Sequence, residues 1–462
     1  MAAEARTSTR LKPGPLDPTI GRTVREMMRR TGTPGVAVGI VYGRRVQAAG
    51  FGITSVAAPA PVDEQTLFQV GSTTKTFTAA AVMRLVERGE VDLDVPVRRY
   101  VRGLQLRDPQ VTRKVTMRHL LTHTGGWVGD YFSQKGRGAD ALADIIADLR
   151  KVPQLTPLGS VWHYNNAGFY LAGRVLEKVC GAPYEQVVRD LLLDPLGMTR
   201  SFFFADEAIS YRVAAGHTAK RTKHAVSTPW AMDRSVNPAG GLISDVLDQL
   251  RWARFNMGDG RAPDGRRVLK RATLRQMQRP QSPPADIADA VGLSWLIEDI
   301  DGVRTVAHGG TTPGHLSAFL MVPERAFAVT VLTNSSRGGE VHRAVVRRAL
   351  KHYLGVERET PTPAPARGRD LSAYGGRYVN GLKQVALDIS TRGTRLGAAF
   401  SLLQSDEDPG LPPFKLAPVG TDDVVIEGGR LNGYRAQFLR DERGRIRWLR
   451  LGGRLYRKTA RR

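Results

Sequence analysis

The sequence predicts an α/β protein. It has a sheet assembled from two distant stretches of chain, a helical lobe between them, and a small antiparallel barrel or sandwich at the C-terminal end. Three observations predict this. β-rich apolar runs occur near residue 40 and again beyond residue 290. Between them, apolar residues recur at helical spacing. A proline-rich stretch, PTPAPARG at 361–368, separates all of this from a final segment whose apolar residues alternate.

The elements follow in order. GVAVGIVY (35–42) is β-rich, Gly43-Arg44-Arg45 is a turn, and VQAAGFG runs back as a hairpin. Leu67-Phe68-Gln69-Val70 leads into Gly71-Ser72. Thr73 to Gly89 reads as a helix, with Val82, Leu85 and Val86 on its apolar face and Gly89 as its stop. Leu142, Ile145, Ile146 and Leu149 share a helix face. Leu171, Val175, Leu176 and Val179 form another, ending at Gly181, and Tyr184, Val187, Val188 and Leu191 a third. Ser244 is the expected N-cap of a helix carrying Val246, Leu247 and Leu250. VGLSWLI, VRTVAH, SAFLMVP and AFAVTVLT return as strands, followed by helix over 340–354. Beyond the proline-rich stretch, Val385, Leu387 and Ile389 face one way in QVALDIS, as do Tyr434, Ala436 and Phe438 in YRAQFL. The expected units are 1–360, a linker at 361–368, and 369–462.

Composition bounds the function classes. A chain of 462 residues is long enough for two or three compact units, and 41% hydrophobic with 24% charged residues fits a globular protein. A single cysteine excludes an intramolecular disulfide and a multi-cysteine metal cage; no metal or cofactor is expected. Cys180 is expected to be a buried or half-buried structural thiol. MAAEARTSTRLKPGPLD has no apolar run, and no stretch approaches the ~18 apolar residues that span a bilayer, so a cytoplasmic protein without a membrane partner is expected. The net charge is +24, but most basic residues come as pairs such as Arg29-Arg30 and Arg347-Arg348. Only the last segment, with Arg443, Arg445, Arg447, Arg450, Arg454, Arg457 and Lys458, is densely basic. Without interleaved stacking aromatics, this predicts solvated surface charge rather than a nucleic-acid partner. A homo-oligomer is compatible with all of this.

Three groups of residues carry chemistry. In Ser72-Thr73-Thr74-Lys75, positions i and i+3 lie on nearly one helix face, and a serine at a helix start sits where backbone N–H groups favour negative charge. A lysine flanked by apolar groups loses basicity and can take the serine proton. In Tyr164-Asn165-Asn166, a phenol near an ammonium is expected to become more acidic and serve as a base, while Asn166 offers a donor and an acceptor. In His308-Gly309-Gly310-Thr311, the glycines allow close substrate approach. A strand N–H beyond them could complete an oxyanion hole with the Ser72 N–H, and His308 could orient or polarise substrate. Other signatures are absent: no serine has glycine two before and two after, and no Gly-Lys dipeptide exists. His119 and His123 lack the metalloprotease glutamate and are expected to be structural. Asn334-Ser335-Ser336 matches the glycosylation triplet.

Taken together, a Ser-x-x-Lys, a Tyr-x-Asn about 90 residues on and a His-Gly-Gly about 145 residues later resemble the β-lactamase and penicillin-binding-protein superfamily. The resemblance is strongest to its class C β-lactamase, D-aminopeptidase and esterase branch. It extends through TMRHLLTHTGG, HYNNAGFYLAGRVLEKVCG, LLLDPLGMTRSFF, NPAGGLISDVLDQLRW and HGGTTPGH, and covers roughly residues 20–355. It implies an antiparallel sheet flanked by helices plus an all-α lobe, and a C-terminal barrel of lipocalin-like type. It implies a serine hydrolase of esters, amides or small peptides, with a β-lactamase or acyltransferase of the same fold, or a non-catalytic penicillin-binding-type sensor or scaffold, as the alternatives. Ser72 would form the acyl-enzyme, and Lys75 and Tyr164 would share its proton. Asn166 would contact the substrate amide, and the N–H groups of Ser72 and Thr311 would form the oxyanion hole. His-Gly-Gly stands where β-lactamases and transpeptidases carry Lys-Thr-Gly, which points toward the esterase and D-aminopeptidase branches.

Overall fold

The computed structural model describes residues 11–220, 223–282, 284–359, 363, 370–404 and 411–459. Apart from Pro363, the expected linker at 361–368 lies outside the described residues. β1 (Gly35–Tyr42) and β2 (Arg45–Gly52) form the expected hairpin. The two-residue strand β3 (Phe68–Gln69) leads into the Ser72 turn, β4 (His217–Lys220) and β5 (Lys223–Val226) form a surface hairpin, and β6 (Ile243–Ser244) pairs with β3. β7 (Ala290–Val291), β8 (Leu296–Ile300), β9 (Val303–Ala307), β10 (Gly310–Thr312), β11 (His315–Val322) and β12 (Phe327–Thr333) complete the large sheet. Its order is β2-β1-β12-β11-β9-β8-β7, with β10 pairing β11 off that path, and its ladders are antiparallel.

β1 explains the layering. Val36, Val38 and Ile40 pack with Ile20 and Val24 of the helix Pro18–Thr31 and with Val341 and Val345 of the helix Gly338–Leu354. Ala37 and Val41 point the other way, into a core shared with the helical lobe and the helix Val246–Met257. A strand apolar on both faces needs a layer on each side. The helix Pro18–Thr31 is well terminated: Asp17 accepts from the Thr19 N–H at 2.8 Å, Pro18 opens it and Gly32 closes it in the left-handed region.

Several expectations are corrected. VGLSWLI is not one strand: Ser294 sits at φ 70° between β7 and β8. Ser244 belongs to β6, and the helix behind it is capped by Asp245, whose carboxylate accepts from the Asp248 N–H at 2.8 Å. Cys180, the last residue of the helix Asn166–Cys180, is exposed because that helix turns its C-terminal end to solvent. Tyr434 is exposed beside Arg343 instead of facing inward with Ala436 and Phe438.

The C-terminal strands β13 (Gly376–Asn380), β14 (Val385–Arg392), β15 (Arg395–Leu402), β16 (Phe414–Pro418), β17 (Asp423–Glu427), β18 (Arg435–Arg440), β19 (Ile446–Leu451) and β20 (Arg454–Lys458) close into an antiparallel barrel. Tyr378, Leu387, Phe438 and Leu449 fill its interior. The β19–β20 turn does not face solvent. Arg450, buried, donates to the Trp162 carbonyl at 2.8 Å and the Pro284 carbonyl at 3.0 Å, and Gly453 accepts from the Tyr164 N–H at 2.7 Å. Part of the basic segment is therefore interface rather than solvated surface. No helix among the described residues is long and apolar enough to cross a membrane.

Candidate active site

The turn that carries Ser72 is Gly71–Thr73, one 3-10 turn running into the helix Thr74–Glu87. Gly71 has φ 53°, and a Cβ there would lie 2.6 Å from the Thr311 nitrogen. Glycine is therefore needed both for its backbone conformation and for the approach of β10. The sheet ties this turn down. Ser317 on β11 donates to the Val70 carbonyl at 2.7 Å and lies 2.9 Å from the Thr73 hydroxyl. Ser72 itself is half-buried, which leaves its hydroxyl reachable.

The helix Thr74–Glu87 is buried almost all round, not on one face as its pattern predicts. Its threonines make that tolerable by bonding locally: Thr74 donates to the Gly71 carbonyl at 2.6 Å and Thr76 to the Thr73 carbonyl at 2.8 Å. Lys75 is consequently 0% exposed. Its Nζ is 3.1 Å from Ser72 Oγ, 2.6 Å from Asn166 Oδ1 and 2.6 Å from the Ala239 carbonyl. Burial drives its basicity well below the usual lysine range, the nearby Arg454 charge pushes the same way, and Asp130 opposes. A free amine has two N–H bonds and one lone pair. The two carbonyl-type oxygens can only accept, so they take both hydrogens and leave the lone pair for the Ser72 O–H.

Tyr164 is buried beside the Ser72 hydroxyl. The expected acidification is reversed. Burial pushes the phenol well above its ordinary value, outweighing the Ser72 hydroxyl and the Arg454 charge. His123, expected to be merely structural, stacks on the Tyr164 ring with centroids 4.5 Å apart. It holds a left-handed φ of 59°, which a side chain other than glycine adopts only when its surroundings enforce it. Here its Nδ1 accepts from the Asn165 N–H at 2.9 Å. The Tyr-x-Asn stretch divides its labour: Asn165 caps the helix by accepting from the Gly168 N–H at 2.8 Å, which leaves Asn166 for Lys75.

His308 is 2% exposed, its Nδ1 lies 2.7 Å from the Gly309 carbonyl, and burial drives it down to about 3. It is a neutral imidazole, so it places no cation at the third motif. Gly309 and Thr311 are exposed at the open edge of β10 and Gly310 is half-buried. A Cβ on Gly310 would lie 1.9 Å from the Val70 carbonyl and 2.7 Å from the Ser72 nitrogen. Backbone from the third motif thus lies directly against the Ser72 turn. The structure brings Ser72, Lys75, Tyr164, Asn166 and the Gly309–Thr311 edge together, with His308 behind them.

Sequence reading missed two charged residues. Asp130 Oδ1 accepts from Asn166 Nδ2 at 2.6 Å, and Asp130 Oδ2 accepts from Arg454 Nε at 2.9 Å. The Arg454 guanidinium lies 4.5 Å from the Tyr164 ring centre. Nothing in the spacing of Asp130 and Arg454 ties either to Ser72. The only local hint is the Gly452-Gly453 pair that lets the β19–β20 turn approach so closely. Asn334 of the glycosylation triplet is buried, donating to the Thr54 carbonyl at 2.9 Å, so it is no accessible acceptor.

A family model described as Beta-lactamase matches residues 20–353. The chain is 32% identical over 353 residues to penicillin-binding protein 4 of Amycolatopsis lactamdurans, covering 75% of this chain and 93% of that protein. It is 27% identical over 396 residues to unguisins hydrolase ungD of Aspergillus violaceofuscus, covering 79% of this chain and 69% of that protein. Among solved structures, SurE with D-Leu superposes with a TM-score of 0.74 at 25% identity, covering 95% of this chain and 98% of that one. The octameric penicillin-binding protein homologue from Pyrococcus abyssi superposes with a TM-score of 0.66 at 25% identity, covering 95% and 99%.

Proposed function

The chain belongs to the serine β-lactamase and penicillin-binding-protein superfamily, and from that premise we propose that it hydrolyses esters, amides or small peptides through an acyl-enzyme on Ser72. The observation that carries this is a reachable Ser72 hydroxyl 3.1 Å from the Nζ of a buried lysine that two further oxygens hold at 2.6 Å. Lys75 takes the Ser72 proton as the serine oxygen bonds to the substrate carbonyl carbon. The developing oxyanion meets the N–H groups of Ser72 and Thr311. As the bond to the leaving group breaks, that group takes a proton from Tyr164. The environments push the lysine down and the phenol up, which separates base from acid. Lys75 then passes its proton to Tyr164, which resets both groups. Water attacks the acyl carbon and gives a proton to Lys75, and the bond to Ser72 Oγ breaks as that oxygen takes the proton back, leaving the acid product and free Ser72.

Small peptides with a D-residue rank first as substrates. The D-Leu in SurE and the hydrolase and penicillin-binding relatives support that class. β-Lactam hydrolysis ranks lower, because a neutral His308 stands where a lysine would meet the substrate carboxylate.

A fluorescent fluorophosphonate should label the wild type at Ser72 and leave Ser72→Ala unlabelled, as read by gel fluorescence and peptide mass. Equal labelling of both proteins would overturn the proposal. A D-peptide and p-nitrophenyl ester panel, blanked against Ser72→Ala, then ranks the substrates.

A further inference from the structure

The barrel reaches the amine of Lys75 through an unbroken chain of polar contacts. Arg454, at the start of β20, donates from Nε to Asp130 Oδ2 at 2.9 Å and from a terminal nitrogen to Asp130 Oδ1 at 3.4 Å. Asp130 Oδ1 accepts from Asn166 Nδ2 at 2.6 Å, and Asn166 Oδ1 accepts from Lys75 Nζ at 2.6 Å. An amide has one accepting and one donating end, and the two are not interchangeable here. A carboxylate accepts only, so it selects the orientation with the amide nitrogen toward Asp130 and the oxygen toward Lys75. In the reverse orientation the amide would present an N–H to the amine, compete for its lone pair, and turn that lone pair away from Ser72.

We infer that Asp130 is a positioning residue that aims the Lys75 lone pair at Ser72 through Asn166, and that Arg454 of the barrel holds Asp130 in that role. The barrel is on this account part of the catalytic apparatus, not an appendage. Its backbone supports the same corner, since Gly453 accepts from the Tyr164 N–H at 2.7 Å and donates to the Asp286 carboxylate at 3.0 Å.

The charges facing Lys75 give the inference a signature that a scaffold would not show. Asp130 favours the ammonium and Arg454 opposes it. The other titratable neighbours are Tyr164, His123 and His308, with the Ser72 hydroxyl in the turn that precedes the helix of Lys75. Burial holds both histidines neutral and the phenol protonated, so none of them titrates near neutral pH. Labelling of Ser72 falls on the acid side as Lys75 protonates. Removing the Asp130 charge therefore moves that limb to lower pH, and removing the Arg454 charge moves it to higher pH.

The test, which rests on the hydrolase reading, is the second-order rate of Ser72 labelling by a fluorescent fluorophosphonate from pH 5 to 10. It uses full-length wild type, Asp130→Asn, Arg454→Met and Arg454→Lys. Asp130→Asn is nearly isosteric and Arg454 is partly exposed, so neither change opens the core; near-UV circular dichroism checks the fold. The expected result is a plateau rate at least tenfold lower in Asp130→Asn with its acid limb displaced downward. In Arg454→Met the limb is displaced upward, and Arg454→Lys restores it. Unchanged plateaux and limbs, or limbs that move the same way in Asp130→Asn and Arg454→Met, overturn the inference. A wild type that is never labelled at Ser72 overturns the hydrolase reading, and this inference with it.

Discussion

Gly310 shows what single residues decide in this site. A methyl group there would lie 1.9 Å from the Val70 carbonyl and 2.7 Å from the Ser72 nitrogen, so β10 would have to withdraw from the Ser72 turn. Gly310→Ala should lower kcat/KM by about 10²- to 10³-fold, the usual cost of losing one oxyanion donor, with a smaller effect on melting temperature. Steady-state kinetics on an ester substrate, compared with thermal unfolding, separates the two effects. Tyr164→Phe keeps the ring that stacks on His123 and removes only the hydroxyl that the proposed mechanism uses as proton donor. It should lower kcat by about 10²- to 10⁴-fold with KM nearly unchanged; a fall in KM affinity with intact kcat would reassign Tyr164 to binding. Ser72, Lys75 and Tyr164 were legible in the sequence because their types and order are distinctive. Asp130 was not, because an aspartate in a loop says nothing about the amide it will face.

At the scale of elements, the β19–β20 turn matters most. Gly453 has φ 77°, and a Cβ there would come within 3.1 Å of the Trp162 ring and 3.2 Å of Tyr164 Cβ. Gly453→Ala should cost about 1–3 kcal/mol through overpacking and backbone strain, read as a lower denaturation midpoint. Labelling of Ser72 should fall with it, because the same turn carries Arg454. The helix Thr74–Glu87 shows why element type is easier to read than element environment. Its length and its stop at Gly89 followed from local chemistry, but its burial on every side did not. Threonines look polar in a pattern, yet once each hydroxyl bonds to a nearby carbonyl they pack like apolar residues. The split of VGLSWLI into β7 and β8 has a similar origin, since the left-handed Ser294 is enforced by its surroundings and carries no glycine to announce it.

At the scale of the whole molecule, folding buries histidines in neutral form. Burial drives His163 down to about 4 and His308, His315 and His342 to about 3. Unfolded histidines bind protons below about pH 6.5, so these four contribute stability above that pH and lose it as pH falls toward 3–4. Asp245 and Asp248 act in the opposite sense. Burial raises both above the ordinary carboxyl range, so their contribution is lost as pH rises. Burial also lowers His119, His123 and His217 and raises Asp286, so lowered imidazoles outnumber raised carboxyls and predict net acid destabilisation; His342→Phe should flatten the fall in melting temperature between pH 6.5 and 4.5. Each proton is worth about 1.4 kcal/mol per pH unit. An unchanged slope in His342→Phe would count against a buried neutral imidazole. The sequence by itself determined most of the strands of the large sheet, the main helices, the all-α lobe and the Ser72, Tyr164 and His308 motifs. Those follow from periodicity, turn residues and spacing, which are local properties. Only the tertiary structure decided that His308 is uncharged, that the Tyr164 phenol is held protonated, and that Arg454 reaches Asp130 across 324 positions of sequence. Charge state depends on burial, and long-range pairing depends on how the barrel docks; both are set by neighbours that no local stretch of chain contains.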